Sequence, residues 1–161
     1  MLVSCGNNSG NVADTTEEAV SNDGMKIYTL YMANADWTDV TAEGLNIDQM
    51  ETTENVIDKL MNTMITANAE NDDNIPVPEG LSYQRYIYDG QGHIMLMFNV
   101  DYETADPYKL AMCKLAFTKT LCQVEGIECV EFELTNLINE EDVVLEEYNE
   151  DSFIEANDMN F

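Results

Sequence analysis

Basic residues are scarce in this chain: 6 Lys and Arg stand against 32 Asp and Glu in 161 residues, a formal charge of −26. Every phosphate brought near such a surface is repelled, which makes nucleic acid and anionic lipid headgroups poor partners, and no nucleic acid is expected. Histidine occurs once, at His93, so a Ser/His/Asp or Cys/His nucleophilic group has one imidazole to draw on, and nothing beside it in sequence supplies the orienting third group. Four Cys are too few for a disulfide scaffold, and there is no C-x-x-C pair or Cys/His cluster with zinc spacing. No apolar run approaches the ~20 residues of a membrane span, and Gly90-Gln91-Gly92 is not followed by a helix, which removes a phosphate-binding loop. What is present is 45% hydrophobic residues. A chain of this size buries roughly 70% of its unfolded surface, enough for one domain with a real core plus tails.

The tails differ in kind. At the start, Leu2-Val3-Ser4-Cys5 places Leu, a small apolar residue and Ser before a Cys and then changes abruptly to a polar tract. This resembles a bacterial lipobox, in which Cys5 becomes a thioether to diacylglycerol. Two acyl chains at ~0.8 kcal/mol per buried CH2 hold a protein on a membrane far better than one. The alternative is an incidental Cys near the chain start. Residues 1–24 then comprise the remnant of a signal, the anchor and a polar tether with no periodic apolar face. Its r.m.s. reach, at 5–6 Å × √n, is ~25 Å, which keeps the domain close to the membrane. At the other end, 12 acidic residues and no Lys or Arg lie between Glu128 and Phe161. Residues 140–161 read as an acidic tail, yet Val143, Val144, Leu145, Tyr148, Phe153 and Ile154 give it apolar points with which to dock on the domain.

Between them, residues 25–139 carry the periodic patterns of a folded domain. Met25 to Met32 reads as a strand, followed by a polar loop. Val56, Ile57, Leu60, Met61, Met64 and Ile65 form one stripe of period 3.6, with Asp48 and Glu51 placed for a capping box. Leu81 to Tyr88 and His93 to Val100 flank Asp89-Gly90-Gln91-Gly92 as a hairpin. In the second strand Ile94, Leu96, Phe98 and Val100 are expected to face the helices. Asp106-Pro107 is an N-cap and first-turn proline, and Leu110, Cys113, Phe117, Leu121 and Val124 mark the buried side of a second helix ending at Gly126. Cys129 to Leu134 alternates as a last strand. The expected fold class is α+β, a split β-α-β-β-α-β with two helices on one face of a mainly antiparallel four-stranded sheet.

Two helices on one face leave the other uncovered. The candidate interaction face is Tyr86, Tyr88, Met95 and Met97, covered either by the acidic tail or by a protein partner or second copy. The thiols read as free: Cys113 and Cys122 are nine residues apart and half a turn out of phase, while Cys129 shares parity with Glu131 and Glu133 rather than with the core face. Carboxylates are so abundant that an acid/base pair has no specificity, and no catalytic residue is assigned. Asn71-Asp72-Asp73-Asn74 lacks the alternation of an EF-hand, so no metal site is assigned and Asp72 and Asp73 are only weak candidates. No cofactor is expected.

The middle of the chain, about residues 25 to 136, resembles the GerMN domain of sporulation and germination proteins. The resemblance rests on the strand Ile27 to Met32, the helix Val56 to Ile65, the loop with Ile75-Pro76 and Gly80, the hairpin Tyr86 to Gly90 with Ile94 to Asp101, and Thr120-Leu121 followed by Gly126 to Phe132. It departs from the family at Leu60-Met61-Asn62-Thr63-Met64, where a Leu-Leu-x-Gly-Pro commonly closes the first helix, and it has one domain copy where the germination protein has two. The resemblance implies an envelope lipoprotein on the outer face of the cytoplasmic membrane, non-catalytic, with a domain shaped like ring-building motifs and a role in binding or assembly, in sporulation, germination or envelope maintenance. The alternative is an extracellular ligand- or cation-binding domain, for Ca2+ or cell-wall glycan, or a carboxylate-based hydrolase.

Overall fold

The computed structural model describes residues 24–70, 74–75 and 77–153. Cys5, Asp72 and Asp73 lie outside the described residues. The elements run β1 (Met25–Asn34), β2 (Val40–Asp48), α1 (Thr53–Glu70), β3 (Asn74–Ile75), β4 (Leu81–Tyr88), β5 (His93–Val100), α2 (Pro107–Leu121), β6 (Cys129–Asn136), β7 (Val143–Tyr148) and a 3-10 turn (Glu150–Phe153).

The fold is α+β, with its strands in two sheets ordered β2-β1-β3 and β4-β5-β6-β7. Three strands are additional to those read from periodicity, the shortest being β3, two residues paired antiparallel with β1. The polar loop after β1 is β2, a nine-residue strand in full antiparallel register with β1 although Ile47 is its one buried side chain. Val143–Tyr148 is β7, an antiparallel edge strand on β6. The four-stranded sheet therefore contains β7 in place of β1. Its β5 and β6 are parallel, joined across α2, while its other pairs are antiparallel.

Each helix forms where its apolar spacing and cap allow. Val56, Ile57, Leu60, Met61 and Met64 are all buried, each worth about 1.5–3 kcal/mol of transfer free energy. The cap of α1 is Thr52 rather than the Asp48/Glu51 box: Thr52 Oγ1 accepts the Asn55 N–H at 3.3 Å. Asp48 is spent on a preceding turn, where it accepts from Met50 N at 2.9 Å, and Glu51 pairs with Lys59 and Asn55. α2 starts as its sequence dictates, with Asp106 accepting from Tyr108 N and Lys109 N and Pro107 in the first turn.

The core lies between the helices and the alternating inward side chains of β5 and β6. Ile94, Leu96, Phe98, Val100, Val130, Phe132 and Leu134 are each at most 1% exposed. Phe98 is its centre, edge-on to Phe117 at 5.8 Å and stacked with Phe132 at 6.2 Å. β7 is attached to this layer by Tyr148, edge-on to Phe132, and by Glu146, which accepts from Lys114 of α2. Gly80 turns the chain into β4 at φ +81°, and a Cβ there would lie 2.7 Å from Ala105 N, so a side chain is excluded twice over.

Candidate functional site

β4 carries a β-bulge between Tyr83 and Arg85. One extra residue reverses which side of the sheet each later side chain meets. Tyr86 and Tyr88 therefore stand opposite Leu96 and Ile94, on the helix-covered face, and Tyr86 donates its hydroxyl to Asp58 of α1. Met95 and Met97 stand on the open face opposite Ile87 and Arg85. The four residues expected to share one face are thus divided by the bulge, and Ile87 and Arg85 take the places expected for the tyrosines.

Register across the sheet gives the open face in rows. One row is Ile87, Met95, Glu131 and Glu147; the next is Arg85, Met97, Glu133 and Leu145; the third begins at Ser82 and runs through Asn99 and Thr135 to Val143. On the β4–β5 half Ile87, Met95 and Met97 are apolar with Arg85 among them, β6 carries Glu131 and Glu133, and β7 adds Glu147, Leu145 and Val143. Ile87, Val143 and Leu145 are 47%, 45% and 59% exposed. Arg85 Nε lies 3.1 Å from Met97 Sδ, so the cation lies against the methionine.

At one end of this face β5 and β6 place His93 directly opposite Cys129, and β6 and β7 place Glu131 opposite Glu147. The His93 Nε2 lies 2.9 Å from Glu131 Oε2. A carboxylate only accepts, so Nε2 is the donor in this contact. A His93 ring nitrogen, Cys129 Sγ and a Glu147 carboxylate oxygen all lie within 4.8 Å of one another. Sequence spacing could not reveal this group, whose members are 36 and 18 residues apart and meet only through strand register. Burial raises the Cys129 thiol pKa, and Glu147, Glu128, Asp89 and Glu131 raise it further. That is the opposite of an activated thiolate nucleophile.

Among the described residues the other two thiols are free: Cys113 is buried and its pKa is pushed up by desolvation, and Cys122 is raised to about 11, chiefly by burial. A cleft of about 290 Å3 beside β1 and α1 is lined by Lys26, Asp48, Glu51 and Glu125 among others. Hydrogen bonds from Lys59 and Asn55 hold Glu51 below the ordinary carboxylate value, the wrong direction for a general acid.

Among the described residues no helix is long and apolar enough to cross a membrane. No protein-family model matches the sequence, and no curated protein does. Solved structures do. The tandem GerMN domains of the sporulation protein GerM from Bacillus subtilis match at 14% identity and TM-score 0.47 over 72% of this chain and 40% of that one. The first GerMN domain of the same protein matches at 12% and 0.44 over 71% and 84%. A Clostridium perfringens protein described as a lipoprotein matches at 13% and 0.43 over 83% and 94%. The chain spans about two fifths of the tandem GerM structure. The solved structures to which this chain is similar thus include GerMN domains, the family whose motifs its sequence resembles.

Proposed function

We propose that this chain is a non-catalytic binding module of the bacterial cell envelope, held at the membrane surface through a lipid on Cys5, that docks a protein partner on the open face of its four-stranded sheet. The observation that supports it is that face: an apolar patch around Ile87, Met95 and Met97 adjoining the acidic strip of Glu131, Glu133 and Glu147. Apolar side chains provide the buried centre of an interface, and a strip of one charge selects the partner. The partner is therefore a protein segment that carries Lys or Arg beside apolar residues, and the anionic surroundings of an envelope leave the acidic remainder of the surface unbound.

The test is cross-linking and co-purification of the lipidated protein from its own membranes, in growing and in sporulating cells, alongside Ile87→Asp and Met95→Asp. Loss of one stoichiometric partner in both variants, with thermal stability retained, is the expected result. Unchanged recovery of that partner would overturn the docking face. Cys5→Ser is expected to release the protein from membranes, and continued tight association would remove the lipid anchor. A clean monomer with no partner turns attention to cation or glycan capture.

A further inference from the structure

We propose that His93, Cys129 and Glu147 form a binding site for a borderline divalent transition metal, Zn2+ foremost, with Glu131 as the group that orients the imidazole. The inference goes beyond partner docking and uses none of the apolar side chains of the patch, sharing with the docking face only Glu131 and Glu147 of its acidic strip.

Three ligand types converge from three strands, and their order in the sheet is what brings them together: His93 faces Cys129 across the parallel β5–β6 ladder, and Glu147 reaches the same end from β7. Their donor atoms lie within 4.8 Å of one another. Zinc at 2.0–2.1 Å from nitrogen and 2.3 Å from sulfur in a tetrahedral site holds those two donors roughly 3.6 Å apart, so closure asks for rotamer adjustment rather than backbone movement. The second requirement of a metal histidine is a partner on its other nitrogen. Glu131 meets it: with Nε2–H donated to that carboxylate, Nδ1 is left as the ligand. Thiolate with imidazole selects Zn2+ over Ca2+ or Mg2+, which take oxygen alone. On binding, the Cys129 thiol releases its proton to solvent and the sulfur becomes a thiolate ligand. Water fills the fourth position. The two glutamates and the thiolate give the site a negative balance that the cation offsets.

Titration of the full chain with Co2+ under reducing conditions reads this directly, because a thiolate on tetrahedral cobalt gives a sulfur-to-metal charge-transfer absorption and intense visible bands. Saturation at one equivalent, with Zn2+ displacing the signal, is the expected result. Cys129→Ser is expected to abolish the charge-transfer band, His93→Gln to weaken binding by at least about tenfold, and Glu131→Gln by about 10- to 100-fold while the band is kept. Glu133→Gln, on the same strand but outside the group, is expected to leave the affinity unchanged. Absence of a saturable thiolate band in the native chain would overturn the site whatever the variants do. So would an undiminished band in Cys129→Ser, which would assign binding to another thiol, or equal weakening by Glu133→Gln, which would assign it to the diffuse acidic surface.

Discussion

Gln123 completes the edge of β1 as though it were a residue of a further strand. Its side-chain oxygen accepts the Thr29 N–H at 2.8 Å while its amide nitrogen donates to the Thr29 carbonyl at 2.6 Å. The same amide also donates to the Lys119 and Thr120 carbonyls at the end of α2, and Thr120 Oγ1 accepts the Tyr31 N–H at 2.9 Å. One side chain thus joins a helix terminus to a sheet edge. Gln123→Ala leaves both Thr29 groups without these partners, and is expected to cost about 1–3 kcal/mol in urea unfolding. Gln123→Glu is expected to be worse at neutral pH, because a carboxylate would face the Thr29 carbonyl.

Lys114 is 7% exposed, pairs with Glu146 and lies 5.7 Å from the Tyr148 ring centroid. It is the contact by which α2 holds the acidic strand β7. Lys114→Met keeps the apolar stem and removes the charge, and is expected to cost about 1–2 kcal/mol, between the values of exposed and fully buried pairs. Hydrogen exchange of the Val143–Tyr148 amides is expected to quicken, while that of β5 stays slow. Equal acceleration in both would show that β7 does not open by itself.

The hydroxyl of Thr118 is fully buried and has no hydrogen-bond partner among the described residues. Thr118→Val replaces it with a methyl of nearly the same volume and removes a desolvated polar group. The expected change is neutral to stabilising by up to about 1 kcal/mol, read as a rise in Tm. A clear loss of stability would mean that the hydroxyl has a partner in solution.

Burial raises the Tyr86 phenol, and the hydrogen bond to Asp58 raises it further. A phenol whose folded pKa exceeds its unfolded value of 10.0 contributes stability that is fully present below that value and is lost as pH rises above it. Thermal melts between pH 8 and 11 are therefore expected to fall more steeply for the native chain than for Tyr86→Phe. Parallel curves would show that neither burial nor the Asp58 contact raises this phenol.

The local elements were legible in the amino-acid order because their signals are strong and short-ranged. The α1 stripe and the alternation of β5 and β6 state which side is buried, and burial follows them except at Ile65, which is half-buried at the end of its stripe; Asp106-Pro107 states where α2 starts. β2 and β7 gave no such signal: the former buries only Ile47, and the latter has two acidic residues among its six and no fully buried side chain. Both are strands because a neighbouring ladder and, for β7, the Lys114–Glu146 pair satisfy them, which are tertiary facts. The bulge at Tyr83/Arg85 likewise moved Tyr86 and Tyr88 to the covered face, since no periodicity registers one inserted residue. The acid surplus, the Cys5 motif and the α+β class are properties of composition and local pattern, so the sequence by itself determined them. The open-face pattern and the meeting of His93, Cys129, Glu131 and Glu147 depend on which strands lie side by side and in what register, so only the tertiary structure decided them.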